Sequence, residues 1–532
     1  MISYFLISCI FLLIYTLYKT KTSLHMMQQN WYDLDHRYLK WILKSKKKVF
    51  MNLDILFILF IIFIFFKIEI SLILFSLFYL INIYIYKKQI KNESVKIKFN
   101  ITARVKRLFI TTFIIYITPI TVMCFYLDSV PFAYYALVLG LLTYLNNFVI
   151  ILSGLINTPI EKYIASGFKT KAKKKLNSLS NMKVVGITGS YGKTSSKIIL
   201  DDVLNVKLNS FKTPKNFNTP VGLIITINNY LDKFNDIFIA EMGAFKKGEI
   251  KELCDLVNPT YGILTKVGTA HLESFGSEKN IQEGKFELIE SLPEDGIGIL
   301  NMDDPNQISY KLKNNCKIVW VAINNEKADV KASNIKLSYN GTSFDCTFKG
   351  DKKKYHFETS LLGKHNIYNI LAAIALANEL GLSKEDLVKG VKIVKPVEHR
   401  LELKKIMGMN IIDDAYNSNP EGSKMATEVL SMMPGKTIIV TPGMIELGDQ
   451  EYDLNKAFGE YIADYKIDEV ILVGEKQTRP ILDGLKEKKY DKKKIHILND
   501  VKEAFYLAKS LSNEETYVLL ENDLPDIFNE NE

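Results

Sequence analysis

The order of apolar and polar positions divides this chain in two. Up to about residue 160, Ile, Leu and Phe crowd into long runs; beyond it, short β-branched runs alternate with amphipathic stretches. Five apolar stretches stand out, at about 2–18, 50–66, 69–86, 108–127 and 131–156. Each is close to the ~20 residues a helix needs to cross a bilayer. The first has no basic residue before it and no small-residue cleavage site after it, so it does not read as a removable signal peptide. The connections alternate: residues 19–48 and 87–107 are long and rich in Lys and Arg, whereas 67–69 and 128–131 are tiny. Long basic loops stay on the cytoplasmic side. Five spans then predict an N-terminus outside and everything after about residue 157 inside, a multi-pass protein of the cytoplasmic membrane with membrane lipid as a partner. The second and third spans read as a tight hairpin, with Asp54 and Asn82 facing neighbouring helices. Otherwise the spans read as lacking the charged pathway residues of an ATP-driven transporter. Residues 161–183, basic and polar, read as a juxtamembrane linker or an amphipathic helix near anionic headgroups.

From residue 184 the pattern becomes that of an α/β protein. Strand-like runs at 184–187, 237–240, 437–440, 469–473 and 517–520 alternate with helical ones, and an insertion near 328–360 reads as short strands. Such alternation predicts mostly parallel sheets with helices on both faces. With 532 residues the chain is too long for one core. The expected division is an α-helical membrane domain over 1–160, the linker, a central α/β domain over 184–398 and a C-terminal α/β domain over 399–532.

Composition changes this picture little. The net charge of +9 comes largely from Lys and Arg between the apolar runs, so it reports topology and no nucleic-acid partner. The five cysteines form no C-x-x-C pair, which argues against a disulfide framework or a zinc site.

The chemistry begins at Val184-Val185-Gly186-Ile187-Thr188-Gly189-Ser190-Tyr191-Gly192-Lys193-Thr194-Ser195. An apolar strand enters a Gly-rich turn, and a helical run follows. Backbone N–H groups in such a turn can face phosphate oxygens, and the helix N-terminus adds partial positive charge. Lys193 can reach terminal phosphates and the Thr194 hydroxyl can bind magnesium. The spacing departs from the strict phosphate loop: five residues separate Gly186 from Gly192. A second strand ends at Glu241, where a magnesium ligand belongs.

These residues resemble the Mur ligase family, most closely its D-alanyl-D-alanine-adding branch. The resemblance runs through Asn216-Phe217-Asn218-Thr219-Pro220, Glu241-Met242-Gly243, Ala270-His271-Leu272-Glu273, Glu283-Gly284-Lys285-Phe286 and Gly363-Lys364-His365-Asn366-Ile367-Tyr368-Asn369. It continues through His399-Arg400-Leu401 and Asp413-Asp414-Ala415-Tyr416-Asn417-Ser418-Asn419-Pro420. It implies a P-loop central domain, a Rossmann-like C-terminal lid, and ATP-dependent joining of a carboxylate to an amine through an acyl phosphate. It implies ATP held by Thr188, Gly189, Gly192, Lys193, Thr194, Ser195, Asn369, Arg400 and Asp414, with Asn369 at the adenine, Asp414 at the ribose and Arg400 steadying the transferred phosphoryl group. Two magnesium ions would be served by Thr194, Glu241, His271 and a carbamylated Lys285, so that Lys193, Lys285, Arg400 and His271 carry the catalysis. Asn216, Asn218, Thr219, Asn417 and Asn419 fall on the substrate side, Asn417 and Asn419 reading equally as turn residues before a helix.

The implied substrates are a cell-wall (peptidoglycan) precursor peptide and an amino acid or dipeptide, with room for other cell-wall synthesis proteins as partners. Two departures stand out. Apparent membrane spans occupy the place of the family's UDP-binding domain, and Leu520-Glu521-Asn522-Asp523-Leu524-Pro525-Asp526 replaces the usual Lys-Gly-Ser run. A lipid-linked acceptor and a catalytically silent nucleotide sensor are therefore the competing readings.

Overall fold

In a computed structural model, residues 2–50, 53–91, 98–126, 129–415, 419–445 and 447–522 are described. Asn417 lies outside them, as do Glu446 and residues 523–532. The chain forms two compact units, Met1–Gly167 and Phe168–Glu532.

Among the described residues, four helices that begin in the first unit are long and apolar enough to cross a membrane: Ser3–Gln29, Ile68–Gln89, Ala103–Tyr126 and Asn146–Ser178. This corrects two of the five predicted stretches. The fifth is split at Leu145 into Phe132–Tyr144 and Asn146–Ser178. The second forms a 12-residue 3-10 helix, Asp54–Phe65. Such helices are seldom this long, but at three residues per turn side chains at i and i+3 eclipse, and here Asp54, Phe57, Phe60 and Phe63 are the buried ones. At ~2.0 Å per residue the 12 residues reach ~24 Å, against ~18 Å for an α-helix. Gly140 makes room for this face, since a Cβ there would come within 2.5 Å of the Phe57 Cβ.

The basic loop expected from residue 19 begins later. The first helix runs to Gln29 because its polar residues find partners inside the bundle. Lys19 is buried, with Nζ 2.6 Å from Asp54 Oδ2 and donating to the Thr143 carbonyl at 2.8 Å. Tyr15 donates to Asp54 Oδ1 at 2.6 Å. The first unit thus contains a buried ion pair where the sequence suggested almost no intramembrane charge. Helices Ala103–Tyr126 and Asn146–Ser178 run antiparallel along a row of polar contacts: Tyr116 to Asn146 (3.1 Å), Thr112 to Ser153 (2.8 Å), Asn157 to Thr111 (2.7 Å) and Arg107 to Glu161 (2.7 Å). Between apolar helices, where no hydrophobic force distinguishes a partner from lipid, such bonds set register. Of the two readings of residues 161–183, linker or helix, the structure has the helix, which continues to Ser178; Ala172 and Leu176 in its last turns join an apolar core of the second unit.

The second unit carries two sheets. The central one contains β1 (Lys183–Thr188), β2 (Ser210–Lys212), β3 (Ile237–Glu241), β4 (Tyr261–Leu264), β5 (Ile297–Asn301), β6 (Lys317–Ala322), β7 (Val330–Ser338), β8 (Gly341–Phe348) and β9 (Tyr355–Thr359). Their order is β2-β3-β1-β4-β5-β6-β7-β8-β9. Pairing is parallel through β7, and the insertion adds β8 and β9 antiparallel. Buried on both faces, the parallel strands read as continuous apolar runs. The other sheet, with β10 (Glu402–Ile406), β11 (Met409–Asp414), β12 (Thr437–Thr441), β13 (Glu469–Val473), β14 (Ile495–Leu498) and β15 (Tyr517–Glu521), has the order β10-β11-β15-β12-β13-β14. Only β10 is antiparallel to its neighbour.

Candidate active site

In the central sheet β1 lies between β3 and β4, the place where connections leave in opposite directions and a crevice opens beyond the strand ends. The Gly-rich turn emerges there. Gly189 has φ +151°, and a Cβ on it would lie 1.9 Å from Thr265 Oγ1. Gly192 has φ +83°, and its Cβ would lie 2.7 Å from Asn369 Oδ1. Neither position accepts a side chain, so the turn packs directly on β4 and on the Asn369 helix. Helix Lys193–Leu204 starts immediately. Lys193 Nζ curls back to donate to the carbonyls of Gly189 (2.7 Å) and Ser190 (3.2 Å). Burial pushes its ammonium down to about 8, opposed by Glu241 and reinforced by Arg400. Thr188, buried at the end of β1, donates to the Met242 carbonyl at 2.9 Å, and Ser195 is buried in the first turn of the helix.

Glu241 ends β3 and is buried. Thr194 Oγ1 donates to its Oε1 at 3.1 Å and Asn218 Nδ2 at 3.2 Å; Lys197 Nζ lies 2.8 Å from Oε2. Burial raises the carboxyl, but Lys197 and the other donors outweigh it and hold Glu241 below the usual carboxylate range. Lys197 was not singled out from the sequence. The signal was there, since it stands four residues after Lys193, on the same helix face. The rest of the predicted substrate segment is not drawn in the same way. Asn216 is exposed, and Thr219 caps helix Pro220–Asn229 by accepting from Gly222 N at 3.3 Å. Asn419 caps helix Pro420–Ser431 likewise, accepting from Gly422 N at 2.8 Å.

His271 sits at φ 61°, in the left-handed region that few side chains adopt, with its ring edge-on to Phe245 at 4.6 Å. Lys285 is 1% exposed; its Nζ donates to the Ala244 carbonyl at 3.2 Å and lies 5.1 Å from the Phe275 ring centroid. Burial pushes its ammonium well below the ordinary value, and the nearby charge of Lys193 adds to this. Among the described residues no group of three or more His, Cys, Asp or Glu side chains forms a metal cage. What is present, the Thr194 hydroxyl on a buried carboxylate at the phosphate loop, is the sparse hard-oxygen set that suits magnesium completed by phosphates.

The C-terminal domain contributes Arg400. It stands between two residues of positive φ, His399 (59°) and Leu401 (49°). Two carboxylates hold this strained turn: Asp413 Oδ2 meets His399 Nδ1 at 2.8 Å, and Asp414 Oδ1 accepts from Leu401 N at 3.2 Å. Arg400 is close enough for its charge to act on Lys193, His365 and Asp414. Burial and the neighbouring Glu521 raise the Asp414 carboxyl to about 7. Beside the phosphate loop lies a cavity of about 280 Å³ lined by Tyr191, Gly192, Asn301, Tyr368, Asn369 and, from the C-terminal domain, Glu421. Asn369 accepts from Ser196 Oγ at 3.0 Å and donates to Asn366 at 3.2 Å, which fixes its amide at the cavity wall. His365, which also lines it, was not singled out from the sequence; burial pushes its imidazole down to about 4.

With this geometry in place, the comparisons with known proteins are specific. Residues 187–377 match the Mur ligase middle domain and residues 399–521 the Mur ligase, glutamate ligase domain. The UDP-N-acetylmuramoyl-tripeptide--D-alanyl-D-alanine ligase of Bacillus subtilis (strain 168) is 36% identical over 296 residues, covering 55% of this chain and 63% of that protein. Its counterpart in Escherichia coli (strain K12) is 32% identical over 301 residues, covering 56% and 66%. The chain thus spans somewhat less than two thirds of the length of these relatives. Among solved structures, the MurF ligase of Thermotoga maritima in complex with ADP superimposes with a TM-score of 0.60 at 28% identity, covering 67% of this chain and 80% of that one. A MurF from Acinetobacter baumannii gives 0.60 at 25%, covering 67% and 77%.

Proposed function

We propose that this chain, which belongs to the Mur ligase family through its residues 187–521, is an ATP-dependent ligase that adds D-Ala-D-Ala, or a similar amine, to a peptidoglycan precursor peptide. The observation that carries this reading is the convergence of Lys193, Thr194, Glu241 and Arg400 at the mouth of the phosphate loop, beside a cavity walled by Asn369. A carboxylate is a poor electrophile at neutral pH, and phosphorylation by ATP supplies the missing leaving group. The cost of that step is charge on the phosphoryl oxygens, which fixed cations stabilise most. Lys193, held ready on two backbone carbonyls, exchanges them for phosphate oxygens; the charge of Arg400, from the C-terminal domain, acts on the same ammonium. Asn369 binds adenine and Asp414 the ribose.

Thr194, Glu241 and His271, with Lys285 as a carbamate, would hold magnesium, which would supply further positive charge to the phosphoryl oxygens. The depressed ammonium of Lys285 supports carbamylation, which needs the neutral amine. Asn218, which holds Glu241, and the segments at Asn216, Thr219, Asn417 and Asn419 belong to the substrate side. These residues together make a silent sensor the weaker alternative.

The apolar helices favour a second reading of the acceptor. Four of them have the length and hydropathy of membrane spans; with the shorter apolar helix Asp54–Phe65 as a fifth crossing, the basic residues of the alternate connections favour an N-terminus outside and a ligase inside. A ligase at the cytoplasmic membrane face can take a lipid-linked peptide as well as a UDP-linked one. The test is phosphate release by the full chain in detergent with ATP and magnesium. UDP-linked and lipid-linked tripeptides are each offered with D-Ala-D-Ala or single amino acids. Release that requires both acceptor and amine supports the ligase, and the acceptor that works chooses between the two readings. Silence with every pair refutes both.

A further inference from the structure

The phosphate loop carries one bulky residue that the chemistry above does not use. Tyr191 is packed into a turn otherwise made of small residues, and its ring lies against Gly268: a Cβ on Gly268 would come within 2.4 Å of Tyr191 Cε2. Its hydroxyl meets Thr269 Oγ1 at 3.3 Å. Thr269 opens the turn that holds His271, since its carbonyl accepts from Leu272 N at 3.1 Å across the left-handed His271. Other bonds lace the same two loops. Ser190 N donates to the Lys266 carbonyl (2.8 Å), Ser190 Oγ to the Gly268 carbonyl (3.0 Å), and Thr265 Oγ1 to the Tyr191 carbonyl (2.6 Å). All of these fix backbone before residue 269. Among the described phosphate-loop side chains in these bonds, Tyr191 reaches the turn of His271 itself.

We infer that Tyr191 is a positioning residue: its ring, seated on Gly268, and its hydroxyl, on Thr269, couple the phosphate loop to the His271 turn and set the divalent-cation side of the nucleotide site. A residue in the left-handed region costs energy and stays there only when its surroundings determine it. Tyr191 is part of what determines it here. The inference rests on the ligase reading, in which His271 serves magnesium.

The test uses the full chain in detergent and a fluorescent ADP analogue, titrated with and without magnesium. A ring only touching nucleotide would weaken ADP equally in both titrations. A ring that positions the His271 turn weakens only the magnesium-dependent part. Tyr191→Ala is expected to lose on the order of tenfold of the magnesium enhancement, the usual scale for removing a group that orients a metal ligand. Tyr191→Phe keeps the ring and loses the hydroxyl, so it falls between Tyr191→Ala and the native protein. Gly268→Ala pushes the ring off its seat and reproduces the Tyr191→Ala defect. In the double variant the added methyl meets no ring, so the double variant is no worse than Tyr191→Ala alone. Independent, additive losses from Tyr191→Ala and Gly268→Ala overturn the inference, as does a loss of the same size without magnesium. A native protein that binds the analogue with no magnesium dependence overturns the ligase reading instead, and this inference with it.

Discussion

Asp414→Asn is expected to stabilise the C-terminal domain at alkaline pH while weakening nucleotide binding. The Asp414 carboxyl is raised from 3.8 to about 7, by burial first and by Glu521 second, with Arg400 and the Leu401 N–H opposing. A raised acid favours the protonated native state. Between pH 3.8 and about 7 the native state therefore binds the proton that the unfolded chain has released, and stability falls as pH rises through this window. The full shift corresponds to ~4 kcal/mol at ~1.4 kcal/mol per unit. Asp414 is only partly buried by exposed area, so a realised loss of ~2 kcal/mol is the better expectation, or ~4–8 °C in the thermal midpoint of a domain this size. Asparagine retains an oxygen to accept from Leu401 N and carries no charge. Thermal unfolding followed by intrinsic fluorescence should show native and variant proteins alike near pH 4, at the foot of this window, with the variant more stable by several degrees at pH 8. An equal difference at both pH values, or a variant less stable at pH 8, refutes the reasoning. ADP affinity should move the other way under the proposed function, in which Asp414 is the carboxylate that meets the ribose.

Four further outcomes follow. Nucleotide affinity should fall as pH rises above about 8, where free Lys193 loses its proton, up to ~10-fold per unit by linkage; a flat ADP-binding profile from pH 7 to 9.5 would refute it. Asp54→Ala leaves Lys19 buried without its carboxylate and should cost ~3–5 kcal/mol, seen as a lower melting temperature in detergent, with Lys19→Met in the same chain recovering most of it. Gly140→Leu drives a side chain into Phe57 and should cost ~1–3 kcal/mol in the same assay without changing ADP affinity. If Lys285 acts as the proposed carbamate, Lys285→Arg, which cannot be carbamylated, should abolish phosphate release, and removing dissolved carbon dioxide should slow release by the native protein and leave ADP binding intact.

Much of the fold and part of the site were legible in the primary structure, for local reasons. The strand, Gly-rich turn and helix of residues 183–204 follow from a buried apolar run, two glycines at positive φ and a helix start. The strands at Thr437–Thr441, Glu469–Val473 and Tyr517–Glu521 lie within a residue of the apolar runs that predict them, because strands buried on both faces are nearly uniform in hydropathy. Thr188, Gly189, Gly192, Lys193, Thr194 and Glu241 come together at one strand end because parallel pairing of β1 with β3 puts both C-termini on one side.

The tertiary structure decided what depends on partners far away in sequence. Hydropathy alone gave Lys19 to a loop; only a bundle that brings Asp54 and the Thr143 carbonyl to it makes a buried ammonium tolerable. Residues 54–65 look like any apolar helix, and their 3-10 winding is visible only once Phe57 meets Gly140. Thr219 and Asn419, read as substrate-side residues, also cap helices, a role set by the backbone that follows them. Tyr191 carries no sequence signal at all, since its meaning lies in a glycine 77 residues later in the chain, and such contacts exist only when the sheet has formed. Composition and periodicity are sums over neighbours in the chain, so they determine elements; charge pairs, caps and close packing are sums over neighbours in space, so the fold determines them.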